Sequence, residues 1–391
     1  MRLTHIQIDG FKNLSEVEFS PDEGYNIISG ENAQGKTNLL EALWMFTGCR
    51  SFRGTKERDY LSFSGDPLKV SVKFHDGRRQ QELVCEMSPR SREKRITCNG
   101  VPIRQTSQLF EIYHCVAFTP EDIALITGSP DVRRSFVDLC FSQLHKRGVS
   151  SVRRYQLILS QRNAILKQHL PSSQTEEILD IWDRQLAAVG TYIAFRRQSY
   201  MLRLAEASRD LYSRISSGAE EIRAVYRSQI FGKSPEIPQD SMQEAEEQYY
   251  QRLAAAREQD RELGFTTCGV HRDDIELQIN GVSAREYGSQ GQKKSLALAL
   301  KLAQAQLYGA ARRESPVILL DDVMGELDRS RQEVVYTIIR DMQVFITTCH
   351  DEVLIPELSG RRILLKQGRV QKLCFPENNG NFKENDFSTD C

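Results

Sequence analysis

The chain has 391 residues, 40% of them apolar and 27% charged, enough for two or three domain-sized units and too apolar for global disorder. Lys and Arg number 52 against 53 Asp and Glu, a formal charge of -1, so a polyanionic partner would have to be met by a local patch. The nine cysteines include no C-x-x-C, the N-terminal "MRLTHIQIDGF" lacks an apolar signal core, and no run approaches a membrane span. These features exclude a disulfide framework and a membrane anchor and lead to the expectation of a soluble, cytoplasmic protein.

From Arg2 to about Cys115 the signals are mostly those of strands. "LKVSVKF" and "QQELVCEM" alternate apolar and polar residues around "HDGRR", which predicts a hairpin, and "KRITCNGVPI" predicts another with Asn99-Gly100 at its bend. From about Thr119 to Gly264 the texture becomes helical. "SPDVRRSFVDLCFSQL" opens on the capping signal Ser129-Pro130-Asp131, and Leu179, Trp182, Leu186, Val189 and Ile193 form one apolar stripe along a long helix. "GKSPEIPQDS" reads as a loop and "MQEAEEQYYQRLAAAREQDREL" as a charged helix. After Thr266 the pattern is again α/β: "IELQING", a helix from Ser289 to Ala311, the buried strand "PVILLDD", a helix from about Arg329 to Asp341, and the strand "VFITTCH". The expected organisation is an α/β unit made of residues 1–118 and 265–375, an all-helical insertion at 119–264, and a disordered polar tail at 376–391.

Between the strand "YNIIS" and a helical pattern stands "GENAQGKTN", in which Gly30, Gly35, Lys36 and Thr37 match G-x-x-x-x-G-K-[ST]. Glycines let successive backbone N–H groups turn inward and approach a phosphate closely, and the helix N-terminus adds its partial positive charge. Glu31, Asn32, Ala33, Gln34 and Asn38 complete that cradle. Lys36 can reach the β- and γ-phosphates and the Thr37 hydroxyl can ligate Mg²⁺. The chain is expected to bind a nucleoside triphosphate.

The strand "VILLDD" ends in two acids. Asp321 is placed to hold Mg²⁺ through water and Asp322 to orient the attacking water. "YGSQGQKKS" opens the next long helix with Ser289, Gln290, Gly291 and Gln292, a second set of free N–H groups with a glycine, although such a helix start is ordinary when taken alone. "FITTCHD" ends a buried strand with His350, a side chain suited to bonding a phosphate oxygen.

In this order the segments resemble an ABC-type ATPase head: an α/β P-loop NTPase lobe with a mixed sheet and a large helical lobe II insertion. The resemblance implies that "GSQGQ" is the signature loop, that "GELD" is the D-loop with Asp328 as its last residue, and that His350 is the switch histidine. It implies two subunits meeting head to tail with two ATP molecules between them, Ser289 and Gly291 touching the partner's γ-phosphate. The distance from Lys36 to Ser289 is too long for a transporter's helical subdomain and too short for long coiled-coil arms. Transport ATPases, small-molecule kinases and non-enzymatic scaffolds with a vestigial site remain rival classes, each leaving some of these segments unexplained.

Within that superfamily the segments "IDGFKNLSEVEFSP", "GENAQGKTNLLEALW", "RSFR", "FTPEDIALITGSPDVRRSFVDL", "QRNAILK" and "HRDDIELQINGVSAREYGSQGQKKSLALALKLA" resemble the RecF family of bacterial recombination mediators. The resemblance implies an ATP-loaded homodimer that binds gapped DNA or single/double-strand junctions without sequence specificity. It further implies action with RecO and RecR to help load RecA, and no membrane partner. The glutamate usual after the magnesium aspartate is Asp322 here, shorter by one methylene, which predicts a slow, switch-like ATPase. Candidate DNA contacts are Arg50, Arg53, Lys56 and Arg58; Arg90, Arg92, Lys94 and Arg95; and Arg133, Arg134, Lys146, Arg147, Arg153 and Arg154.

Overall fold

A computed structural model describes residues 1–49, 51–62, 65–91, 93–168, 172–349, 360–376 and 382–386. The chain divides into two units, Met1–Asp122 with Gln304–Cys391, and Ile123–Ala303. No helix among the described residues is long and apolar enough to cross a membrane.

The first unit contains two sheets. In one, Arg2–Asp9 lies between Val17–Phe19 and Leu68–His75, followed by Gln80–Met87, Lys94–Cys98 and Val101–Pro102, all antiparallel. Both expected hairpins are present: His75 pairs with Gln80, and Cys98 pairs with Val101 across Asn99-Gly100, whose positive φ angles of 50° and 77° suit that dipeptide. The other sheet runs Phe382–Asp386, Arg369–Pro376, Gly360–Lys366, Tyr25–Ser29, Val344–Thr348, Val317–Asp321, Cys115–Phe118. Its centre is parallel, and Ile27, Ile28, Leu319, Leu320, Phe345 and Ile346 are almost wholly buried, as a sheet covered on both faces requires. Helix Lys36–Trp44 buries Leu39, Leu40 and Leu43 in a cluster that also takes Ile6, Ile8, Val70 and Val72 from one sheet and Ile28, Val317 and Phe345 from the other. The helix that begins in the glycine loop is therefore a core element and cannot tilt freely.

The second unit packs helices Pro130–Leu144, Gly148–Leu166, Ser172–Ile215 and Met242–Ala255 with a small sheet. Of the predicted stripe, Leu179, Leu186 and Ile193 are all but fully buried in the 44-residue helix, while Trp182 and Val189 are half-buried. Two expectations need correction. The insertion is not all-helical, because Ile222–Ser228 is a strand that pairs with Gly232–Lys233 and with Asp274–Ile279. That second pairing draws the hairpin Asp274–Ser283, expected with the α/β lobe, into the second unit, so the division falls after Ala303 and not at 264. The tail also differs from expectation: Phe382–Asp386 pairs with Arg369–Pro376, while 377–381 and 387–391 lie outside the described residues.

Candidate functional site

Three parallel strands end side by side. Ser29 pairs with Thr348 and Thr347 with Asp321, so the carboxyl ends of Tyr25–Ser29, Val344–Thr348 and Val317–Asp321 form one rim, the usual ligand side of an open α/β sheet. The loop from Gly30 to Gly35 leaves that rim and feeds directly into helix Lys36–Trp44.

The loop glycines are dictated by geometry. Gly30 has φ of 146° and a Cβ there would sit 2.4 Å from the Leu365 carbonyl oxygen; Gly35, with φ of 106°, would meet the Leu14 side chain at 2.7 Å. The loop is also tied down from outside. Gln34 accepts from Gly368 N and Gln367 N, Ala33 O accepts from Asn13 Nδ2, and Asn38 donates to Asn13 Oδ1. Glu31, Asn32 and Ala33 are left exposed at the tip.

Lys36 is only 5% exposed, and its ammonium donates to the carbonyl oxygens of Gly30 (2.6 Å) and Glu31 (2.9 Å) and to Cys349 Sγ (3.3 Å). No carboxylate neutralises it among the described residues. A buried cation without an anion is costly, and its position at a helix N-terminus makes the loop an anion receptor.

One residue on, the Thr37 hydroxyl donates to Asp321 Oδ1 at 2.9 Å, and the Thr347 hydroxyl donates to the same oxygen at 2.8 Å. Burial pushes the Asp321 carboxyl above its ordinary range; the two hydroxyl donors and the Arg53 charge pull it back. Thr37 and Asp321 thus present two hard oxygens at one point, a donor set that suits a small divalent cation completing its shell with phosphate and water. Asp322 follows in the left-handed region with φ of 52°, its N–H held by Thr347 Oγ1 at 3.0 Å. Aspartate tolerates that conformation better than a longer acid because its short side chain can satisfy nearby backbone groups, a local reason for Asp at this turn.

The structure brings Lys36, Thr37, Asp321 and Asp322 to one rim. Ser289 and Gln292, in the second unit, make a reciprocal cap: Gln292 N donates to Ser289 Oγ (3.2 Å) and Ser289 N to Gln292 Oε1 (2.7 Å), while Gln292 Nε2 donates to Glu220. This leaves Ser289 and Gln290 exposed at the start of helix Gln290–Arg312, with Gly291 in its first turn. Asp328 caps helix Arg329–Ile339, accepting from Arg331 N and Ser330 Oγ, which hold its carboxyl below the ordinary range. His350 lies outside the described residues.

Sequence reasoning missed Thr347, the shared clamp of both acids, and Cys349, which touches Lys36 and Asn32. It placed Arg53 only among DNA contacts. The basic clusters sort sharply. Arg133 is buried and bidentate to Asp274, and Arg134 bonds Asp273 O and Asp131, so both are structural, a role their place in a family motif already allowed. Lys94, Arg95 and Arg58 pair with Glu57, Glu93 and Asp59. Arg147, Arg153 and Arg154 are exposed with no acid partner among the described residues. Arg50 and Arg92 lie outside the described residues.

The family model described as RecF/RecN/SMC N terminal domain matches residues 2–368. A DNA replication and repair protein RecF from Desulforamulus reducens is 37% identical over 89% of this chain and 92% of its own length; one from Lachnospira eligens is 35% identical with the same coverage. The solved structure of the recombination mediator protein RecF-ATP in the RecFOR pathway superimposes with a TM-score of 0.83 at 31% identity, covering 94% of this chain and 98% of the other. An SMC head bound to the C-winged helix domain of ScpA, 14% identical with a TM-score of 0.56, shares the fold alone. The architecture is that of an ABC-type ATPase head with a large, mainly helical insertion.

Proposed function

The chain belongs to the RecF family of DNA replication and repair proteins, and from that premise we propose that it is an ATP-operated DNA-binding switch. ATP is bound at the Lys36 loop, two subunits close around two nucleotides, and the closed homodimer holds DNA at gaps or single/double-strand junctions. With RecO and RecR it then promotes loading of RecA, and slow hydrolysis resets it.

The observation that carries the reading is the buried Lys36 ammonium, which has only neutral oxygens and a thiol for partners and is therefore free to exchange them for β- and γ-phosphate oxygens. Thr37 and Asp321 would hold Mg²⁺, which supplies charge neutralisation on the phosphates when bound. Asp322 serves as the carboxylate that orients the attacking water. Its side chain, one methylene shorter than glutamate, supports slow turnover suited to a timed release. Ser289 Oγ and the first N–H groups of helix Gln290–Arg312 complete the partner's pocket, with Gln290, Gly291, Gln292 and Asp328 around them. The exposure of Ser289 and Gln290 in the single chain supports that use.

The test is subunit association measured by light scattering, with labelled gapped DNA present in a parallel series. Asp322→Asn should accumulate as a dimer in saturating ATP and Mg²⁺ and bind DNA tightly, while the wild type should dimerise transiently. An Asp322→Asn protein that stays monomeric under those conditions overturns the composite-site mechanism.

A further inference from the structure

The second unit carries a concentration of positive charge that nucleotide binding does not use. From His145 to Gln168 the chain has Lys146, Arg147, Arg153, Arg154, Arg162 and Lys167 and no acid; from Arg184 to Ala205 it has four arginines and no acid. At the chain's average of 53 acids in 391 residues, these stretches together would carry about six. Arg162 and Arg197 are accounted for, buried and paired with Asp183 and Asp260, and with Asp138 and Asp273. The others remain at or near the surface.

Several of them converge. An open groove of about 710 Å³ is lined by Arg147, Ser151 and Arg154 from the first stretch and by Arg184, Gln185 and Tyr192 from helix Ser172–Ile215. The Tyr192 ring is held by the Arg196 guanidinium, 5.1 Å from its centroid, and among the described residues Arg184 is the lining cation that pairs with an acid, Asp180 at 3.0 Å. A second groove in the same unit makes the contrast: Glu176, Glu258 and Glu262 stand there beside Arg257 and Arg261, so acids outnumber bases and no excess of positive charge remains.

We propose that the groove between helices Gly148–Leu166 and Ser172–Ile215 is a seat for the DNA sugar-phosphate backbone, with Arg147 and Arg154 as its principal phosphate contacts. The proposal rests on the DNA-binding reading above and names a site for it. Arg147 and Arg154 lie on one helix face seven residues apart, roughly 10 Å at 1.5 Å per residue. That length meets about three successive phosphates of one strand at 3.4 Å of rise each. Hydroxyl and amide groups beside the arginines can bond phosphate oxygens, and contacts to phosphate carry no sequence information. The site also accounts for how a chain of net charge -1 can hold a polyanion: the compensating acids are sequestered elsewhere.

The experiment compares the full-length wild type, Arg147→Gln/Arg154→Gln and a control of equal charge change, Arg78→Gln/Arg79→Gln, on the turn of the hairpin Leu68–Met87. Anisotropy of labelled gapped duplex is titrated with ATP present at several salt concentrations, alongside fluorescent-nucleotide binding and thermal melting. The groove variant should lose about ten-fold in DNA affinity, and the slope of log affinity against log salt should flatten by about two. Nucleotide affinity and melting should match wild type, and the control should retain wild-type DNA binding. A groove variant with wild-type affinity and slope overturns the seat while leaving the DNA reading intact, and so does an equal loss in the control. If the wild type itself binds no DNA with ATP, the functional reading fails and the seat with it.

Discussion

Lys36 and Arg197 are buried to nearly the same degree, 5% and 4% exposed, but their surroundings differ in kind. Arg197 bonds Asp138 through two nitrogens and also reaches Asp273 and the Val270 carbonyl. Arg162, fully buried nearby in sequence, is held by Asp183, Asp260 and the Thr266 hydroxyl. These arginines have found their anions inside the chain, so the charge is spent on architecture. Lys36 has found only neutral groups. A cation closed off by carboxylates pins helices together; one left with carbonyls is kept for something that arrives from solution.

The comparison breaks most visibly under paired substitution. Arg162→Met leaves Asp260 without its cationic partner among the described residues, and removing one member of a buried pair costs about 3–5 kcal/mol. The chain should unfold at markedly lower denaturant, with nucleotide affinity per folded molecule unchanged. Lys36→Ala should do the reverse. Its loss strands no carboxylate, so the unfolding midpoint should hold, while nucleotide affinity should fall by roughly 100-fold, about 2.7 kcal/mol. Chemical denaturation and fluorescent-nucleotide titration on both variants decide it. Equal destabilisation by the two would erase the distinction.

The same contrast explains what could be read in the sequence. The phosphate loop is contiguous: a diphosphate fixes glycine, lysine and threonine at set spacing, so the motif is visible without coordinates. Asp321 was legible because an apolar strand ending in acids is itself a local pattern. Arg162–Asp183, Arg197–Asp273 and Arg133–Asp274 join residues 21, 76 and 141 positions apart, and nothing local marks them. Gly190 is a similar case. In the middle of a helix it reads as a weak point, yet a Cβ there would lie 2.0 Å from the Tyr249 ring. The strand Ile222–Ser228 was absorbed into a helical reading because it is short and its partner, Asp274–Ile279, comes some fifty residues later. Thr347 escaped because a threonine at a strand end is unremarkable until two acids converge on it.

A smaller effect tests whether the second unit's interior is as closed as its arginines suggest. Val270 N donates to Tyr249 OH, Tyr249 bonds Tyr155, Tyr155 bonds His271 Nδ1, and His271 Nε2 reaches Thr266 O. A carbonyl accepts only, so Nε2 carries the proton and Nδ1 accepts from Tyr155; this chain requires neutral His271. Burial first, and nearby arginines after it, lower the His271 pKa to about 4. Above the ordinary value of 6.5 the imidazole is neutral folded or unfolded and contributes nothing to pH dependence. Below it the unfolded chain takes the proton and the folded chain does not, so stability is lost as pH falls from 6.5 toward 4. The loss should be about 1 kcal/mol near a pH of about 5.5. His271→Gln keeps one donor and one acceptor but cannot titrate, so its denaturation midpoint should fall less steeply through that window. An unaltered profile would mean that other groups set the acid limb.

The smallest expected effect lies at the phosphate-loop rim. Thr347→Val keeps the shape of a β-branched strand residue but removes a donor to Asp321 Oδ1 and an acceptor for Asp322 N, at a stability cost of about 1 kcal/mol. Asp321 is already displaced upward by burial, and the Thr347 hydrogen bond opposes that displacement most strongly, so losing it should raise the carboxyl further. A divalent cation is held by carboxylate and not by carboxylic acid. The acid limb of Mg²⁺-dependent ATP hydrolysis should therefore move to higher pH in Thr347→Val, with activity recovering on the alkaline side. Thr37 still donates to Asp321, which limits the displacement and preserves nucleotide binding near wild type. A pH–rate profile that merely drops in height, with its acid limb in place, would show that Thr347 supports the strand end mechanically and does not tune the carboxylate. The rim would then owe its cation affinity to Thr37 and Asp321 alone, and the loop's open cation would have no matched, tuned acid beside it.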